Sequence, residues 1–154
     1  MSARLLISVR VKATPERAFE AFTREIGVWW RPNALFGFTP RSPGVPSFEG
    51  EEGGRFIETL PNGQVFEVGR IKVWRPGERL VFGWRCAWFE EGQDTEVEVR
   101  FEPVDGETRV TVEHRGWDTV PRENAARHGF PTTVFLQHEA AWWRAMLPAL
   151  GRTP

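Results

Sequence analysis

Tyrosine is absent from the 154-residue chain, cysteine occurs once, and serine is confined to Ser2, Ser8, Ser42 and Ser47. A lone Cys86 can neither close an internal disulfide nor build a cysteine-cluster zinc site, so the expected setting is a reducing one, the cytoplasm. None of the serines stands in a nucleophile-elbow context, and Gly50-Glu51-Glu52-Gly53-Gly54 lacks the Lys-Ser/Thr of a phosphate-binding loop. Neither sign of charge is in excess: 20 Lys and Arg face 21 Asp and Glu, net −1, interspersed along the chain, which argues against nucleic acid as a partner. Long apolar runs are missing too. The stretch Leu5-Leu6-Ile7 is interrupted by Arg10 and Lys12 before it could serve as a signal peptide or an integral membrane segment. No repeat, charge block or low-complexity run marks a boundary, so residues 1–154 read as a single domain. A chain of this size buries roughly 70% of its unfolded surface.

Against these absences stand eight tryptophans and twelve phenylalanines. Each ring brings a large apolar area with few rotatable bonds, so it can fill a core or wall a pocket at low entropic cost.

From Ala3 to Lys12, Leu5, Ile7, Val9 and Val11 alternate with polar residues, the period of a half-buried strand. Thr14-Pro15-Glu16 then predicts a helix start: a hydroxyl cap, proline at the first position and an acid at the positive end of the dipole. Ala18, Phe19, Phe22 and Ile26 share its inner face as far as Gly27. Residues 31–47 carry Pro32, Pro40, Pro43, Gly44 and Pro46 together with Leu35, Phe36 and Phe38, and read as a long loop laid over something apolar. Five strands are expected at about 54–60, 64–75, 79–89, 95–103 and 108–117, separated by short turn sequences that suit an antiparallel meander. After an irregular segment from Asp118 to Gly129, a helix is predicted from about Pro131 to Leu150, with Pro148 loosening its last turn. The whole is an α+β arrangement in which a long sheet must bend around that helix or leave its apolar face exposed.

Several of these segments resemble a known family. They are Thr14-Pro15-Glu16-Arg17-Ala18-Phe19, Gly53-Gly54-Arg55-Phe56, Gly69-Arg70-Ile71, Trp74 to Trp84 and Thr108 to Trp117. In order and over nearly the whole chain they are similar to the bacterial proteins related to the activator of heat-shock protein 90 ATPase, within the START-like, birch-pollen-allergen-like (SRPBCC) superfamily. The resemblance implies a helix-grip: a curved antiparallel sheet wrapped around a long C-terminal helix, with a deep cavity between them. That fold hosts carriers, cyclases, dehydratases and co-chaperones, so it does not select a function.

His138-Glu139-Ala140-Ala141-Trp142 begins like a zinc-protease motif, but Trp142 replaces the second histidine, so no metal and no cofactor are expected. His114 lies in register with Val110 and Val112 on the inward face, where it could orient a ligand or move a proton; it could equally be a core histidine with one polar partner. Glu58 shares parity with Phe56 and Leu60, and Glu67 with Val65 and Ile71, so both are candidates to face inward beside His114; solvation or pairing with arginine is the alternative. Cys86 falls in phase with Trp84 and Trp88 and reads as a small hydrophobe, a Cys–His nucleophile being the weaker option. Trp30, Phe36, Phe38, Phe56, Trp84, Trp88, Phe135 and Trp142 come from the loop, several strands and the final helix; rings converging from separate elements can line a ligand pocket or fill a core.

The leading expectation is a small binding protein whose hydrophobic cavity takes a lipid-like or aromatic, polyketide-like molecule, with His114 and a glutamate at its polar end. The first alternative is a cyclase- or dehydratase-like enzyme using His114 with Glu58 or Glu67 as acid and base. The second is a chaperone-accessory or dimeric interaction module presenting Trp74 and Trp117 as exposed contacts.

Overall fold

The computed structural model describes residues 4–41 and 43–152, so Ala3 of the expected first strand and Ser2 and Ser42 lie outside the described residues. Strand β1 (Arg4–Val11) is followed by helix α1 (Pro15–Thr23), a single turn α2 (Ile26–Trp29) and six strands: β2 (Val45–Glu49), β3 (Arg55–Thr59), β4 (Val65–Arg75), β5 (Arg79–Trp84), β6 (Thr95–Val104) and β7 (Glu107–Arg115). Helix α3 (Thr132–Met146) closes the chain and tightens into a 3-10 turn at Leu147–Gly151, where Pro148 stands. The strands form one curved antiparallel sheet in the order β1-β7-β6-β5-β4-β3-β2. The meander is therefore sequential, and the first strand returns to pair with the last.

Helix α1 starts as its sequence demands, with the Thr14 hydroxyl accepting from the Arg17 amide at 3.1 Å. It stops sooner than the apolar spacing suggests. The Thr23 hydroxyl donates back to the Phe19 carbonyl at 2.8 Å, Glu25 leaves helical geometry, and the chain resumes in α2, whose Trp29 indole donates to the Ala21 carbonyl at 2.8 Å.

Three further departures from the sequence pattern matter for the site. First, β2 emerges from the proline-rich stretch expected to be loop; Pro46 is tolerated because β2 is an edge strand and has a partner on one side only. Second, β5 ends at Trp84, and the residues after it turn away, with the Arg85 amide donating to the Val68 carbonyl at 2.8 Å. Third, β4 changes phase twice. Phe56 pairs with Gly69 but Ile57 with Glu67, leaving Val68 as an extra residue, and the pairing with β5 shifts again between Ile71 and Val73. Gly69 sits where β4 and β5 almost touch: a Cβ there would lie 2.1 Å from the Gly83 carbonyl oxygen.

The concave face of the sheet and α3 share one aromatic core. Trp143, wholly buried, packs against Phe22, Trp30 and Trp84 with ring centroids 5.9–6.3 Å apart. The convex face is polar. There Arg79–Glu98 (2.7 Å), Arg115–Glu98 (2.8 Å) and Arg4–Glu113 (3.3 Å) link neighbouring strands, and Lys72–Glu96 (2.6 Å) reaches from β4 to β6 across β5. Part of the interspersed charge of the sequence is thus cross-strand pairs on one face of the sheet, while Arg17 pairs with Glu20 and Glu25 beside α1.

Candidate functional site

The chain leaves α2 at Trp30 in extended geometry and runs to β2 as a strap with few backbone donors of its own, because of its prolines. Side chains and neighbouring elements hold it. The Trp142 indole donates to the Arg31 carbonyl at 2.8 Å, Phe36 stacks on Trp142 at 4.9 Å, and the Ala87 amide donates to the Phe38 carbonyl at 2.7 Å. At its far end the Gly44 amide donates to Glu58 at 2.9 Å. A Cβ at Gly44 would come within 2.5 Å of the Thr59 carbonyl oxygen, so only glycine lets the strap lie flat on β3.

Between this strap and the sheet lies a half-open pocket of about 420 Å³, walled by Trp30, Phe36, Phe38 and Trp88, with Glu58 in its wall and His128 also lining it. Glu58 is only 3% exposed and accepts from the Thr39 hydroxyl at 3.3 Å as well as from Gly44. His128 donates through Nε2 to the Leu35 carbonyl at 2.9 Å, tying the 118–130 segment to the strap.

The other aromatic candidates lie behind the pocket and are packed solid. Phe56, Trp84 and Phe135 are buried, and Trp84 touches Phe38 at 4.8 Å, His114 at 4.9 Å and Trp30 at 6.0 Å between ring centroids. Trp142, also buried, closes the inner end by stacking on Phe36. The twelve-phenylalanine, eight-tryptophan excess therefore divides into a filled core and one aromatic mouth.

His114 points inward from β7, as its parity requires, and is wholly buried, but neither Glu58 nor Glu67 is its partner. Its Nδ1 lies 2.5 Å from Oε2 of Glu139 on α3, and its Nε2 lies 2.9 Å from the Thr95 hydroxyl. Thr95 spends its single proton on the Trp84 carbonyl at 2.5 Å, so it accepts from Nε2 of His114. One proton must then lie between Nδ1 and Oε2, and the same Oε2 also accepts from the Trp143 indole at 3.1 Å. Among the described residues, Glu139 Oε1 and Trp117 Nε1 are buried without a hydrogen-bond partner. The network ties α3 to β7 and β6 and is enclosed from solvent on all sides.

Glu67 is a correction. It stands on the outer face, 3.8 Å from Arg55 and 3.4 Å from Arg70, because the bulge at Val68 reverses the parity on which its inward placement depended. The same phase changes turn Trp74 inward, edge-on to Phe19 at 5.1 Å, and Trp117 is buried against Phe135 at 4.8 Å, so neither is an exposed contact. Cys86 belongs to the core; burial pushes its thiol up to about 12, which keeps it protonated and removes the nucleophile option. His138 is exposed and stacks near Phe130 at 5.0 Å. Among the described residues no cluster of three or more His, Cys, Asp or Glu could hold a metal ion, and no helix is long and apolar enough to cross a membrane.

Glu139, Thr95 and Arg127 are the residues that sequence reasoning missed. Glu139 had a readable signal: it shares a stripe at three- to four-residue spacing with Phe135, Trp142, Trp143 and Met146, and a carboxylate on such a stripe needs a buried partner. Arg127 had none, since it is buried inside an irregular segment, where it donates to the Val120 and Phe130 carbonyls and the Thr132 hydroxyl at 2.9–3.0 Å.

Residues 12–139 match the family described as Activator of Hsp90 ATPase homolog 1-like protein. The Dictyostelium discoideum protein named Activator of 90 kDa heat shock protein ATPase homolog is 30% identical over 107 residues, which are 70% of this chain and 24% of that protein. The chain thus spans about a quarter of that relative's length. The solution structure of the Aha1 dimer from Colwellia psychrerythraea superposes with a TM-score of 0.63 at 21% identity, over 96% of this chain and 92% of that one. The anthrahydroquino-gama-pyrone synthase Txn09 superposes with a TM-score of 0.53 at 29% identity, over 90% and 86% of the two chains. With its seven-stranded sheet curved about a C-terminal helix, the chain belongs to the Activator of Hsp90 ATPase homolog 1-like family and has that family's START-like helix-grip fold.

Proposed function

We propose that this chain is a cytoplasmic, single-domain binding protein of the SRPBCC type whose pocket under the 31–44 strap takes an apolar, aromatic or polyketide-like small molecule. The observation that carries the reading is the half-open volume of about 420 Å³ walled by Trp30, Phe36, Phe38 and Trp88 with one carboxylate, Glu58, in its wall. That size and chemistry suit a ligand of a few fused rings, mostly apolar with one polar point of fixation. Txn09, named as an anthrahydroquino-gama-pyrone synthase, supports the same ligand class at the level of the fold. A proton-transfer enzyme built on this pocket would draw on Glu58 or His128, which line it, and not on His114, whose two ring nitrogens are taken and whose ring is enclosed.

Saturable changes in tryptophan emission on titration with fused-ring aromatics test the reading. Trp88→Leu is expected to weaken binding at least about fivefold while shifting the unfolding midpoint little, because Trp88 is half-buried at the pocket edge. Unsaturable responses across flavonoids, anthraquinones and fatty acids would refute it.

A second reading, contact with a chaperone or with another copy of the chain, draws support from the family and from the dimeric relative. Exposed Val45 and Val65 both flank Thr59 across β2, β3 and β4, giving a small apolar row at the sheet end. Sedimentation equilibrium tests it: a monomer at about 100 μM would remove the dimer, since a stable dimer associates well below that concentration.

A further inference from the structure

We infer that the ligand of this pocket carries a cationic nitrogen, held against the Glu58 carboxylate and caged by Trp30, Phe36, Phe38 and Trp88. The inference rests on the pocket reading above and adds the charge of the ligand to it.

Three observations lead there. The chain has 20 Lys and Arg, yet among the described residues none of them lines the pocket, whereas one carboxylate does. Arg41, on the strap itself, donates instead to the Gln64 amide at 2.5 Å, and Arg31 contributes its carbonyl to Trp142. The lining therefore carries a carboxylate and neither lysine nor arginine. Second, three donors on the pocket wall are committed inside the protein: the Thr39 hydroxyl and Gly44 amide to Glu58, and His128 Nε2 to the Leu35 carbonyl. The attraction of a carboxylate for a cation is electrostatic and acts across the pocket without requiring a vacant acceptor direction. Third, four aromatic rings, Trp30, Phe36, Phe38 and Trp88, share the wall with Pro32, Pro40 and Pro43. Ring faces carry negative quadrupole density and attract a positive charge, most strongly when it is shielded from water. An anionic ligand would meet the same carboxylate and the same ring faces as repulsion.

Three probes that share one ring system and differ in one group decide the matter: 1-naphthylmethylammonium, 1-naphthylmethanol and 1-naphthoate, titrated calorimetrically at pH 7 into the full chain. Heteronuclear NMR of the indole N–H groups locates each probe. The ammonium is expected to bind about tenfold tighter than the alcohol, a difference worth about 1.4 kcal/mol, with naphthoate weakest. In Glu58→Gln, whose single amide oxygen can still accept from the Gly44 amide, the ammonium should fall to the affinity of the alcohol, and the alcohol should change less than about twofold. Equal binding of ammonium and alcohol, or an ammonium preference that survives Glu58→Gln, overturns the cation while leaving the pocket standing. Failure of all three to saturate overturns the pocket reading and the cation with it. Should Glu58→Gln not fold, the ranking of the three probes on the unaltered chain decides, with an alcohol or naphthoate as tight as the ammonium counting against the inference.

Discussion

Replacing Glu139 by leucine keeps the volume on α3 and deletes the acceptor between helix and sheet. His114 Nδ1 and the Trp143 indole, both wholly buried, are then left without the oxygen that now lies 2.5 and 3.1 Å away. Each stranded buried polar group costs about 1–3 kcal/mol, and breaking one side of a buried charged pair typically costs about 3–5 kcal/mol. His114→Leu alone should cost a similar amount, because it strands the Glu139 carboxylate with only an indole donor. The double replacement His114→Leu/Glu139→Leu removes both members, and Thr95 keeps its bond to the Trp84 carbonyl. Only the Trp143 indole loses its acceptor, so the double variant should be destabilised by about 1–3 kcal/mol, well below the sum of the single costs. Guanidinium unfolding monitored by circular dichroism, with the denaturant slope unchanged, measures all three. Single costs that add within about 0.5 kcal/mol would show that the two side chains do not act as one unit and would refute this reading of the network.

The Cys86 thiol, pushed up to about 12 by burial, should resist alkylation at pH 8 in the folded protein and react at once in denaturant; rapid modification of the native state would contradict its placement in the core. On the convex face, burial pushes the Glu98 carboxyl up, but hydrogen bonds from Arg79 and Arg115 outweigh it and hold the group below the ordinary carboxylate range. A depressed folded-state value means that the native state gives up this proton more readily than the unfolded chain. Its stabilisation is therefore present above the unfolded carboxylate value and is lost as pH falls through the folded one. Arg115→Gln should flatten that acid limb in a series of unfolding midpoints between pH 7 and pH 3, whereas parallel curves for the two proteins would contradict it.

How far the sequence could be read depended on whether local pattern and tertiary pairing agreed. Along β7 the alternation is unbroken, so parity alone puts His114 on the correct face. Along β4 the same alternation misplaces Glu67 and Trp74, because the bulge at Val68 and the second shift after Ile71 are products of how the strand fits its neighbours. The edge strand β2 hides in a proline-rich run, since Pro46 is compatible with a strand only when one side is unpaired. Ring count could not separate core from pocket. Trp84 and Trp88 lie four residues apart and look alike in the pattern, but β5 ends between them, leaving one buried behind Phe38 and the other at the rim. Glu58 was legible by parity with Phe56; its Thr39 and Gly44 partners were not, because the strap reaches β3 only in three dimensions.

The eight tryptophans supply the most direct measurement of the pocket, as each contributes one indole N–H resonance. Titrating 1-naphthylmethylammonium into isotope-labelled protein should shift the Trp30 and Trp88 resonances saturably and along a common binding curve, and leave those of Trp117 and Trp143, enclosed in the core, nearly unmoved. Saturable shifts confined to other tryptophans, or none at all up to millimolar probe, would contradict a ligand site under the 31–44 strap.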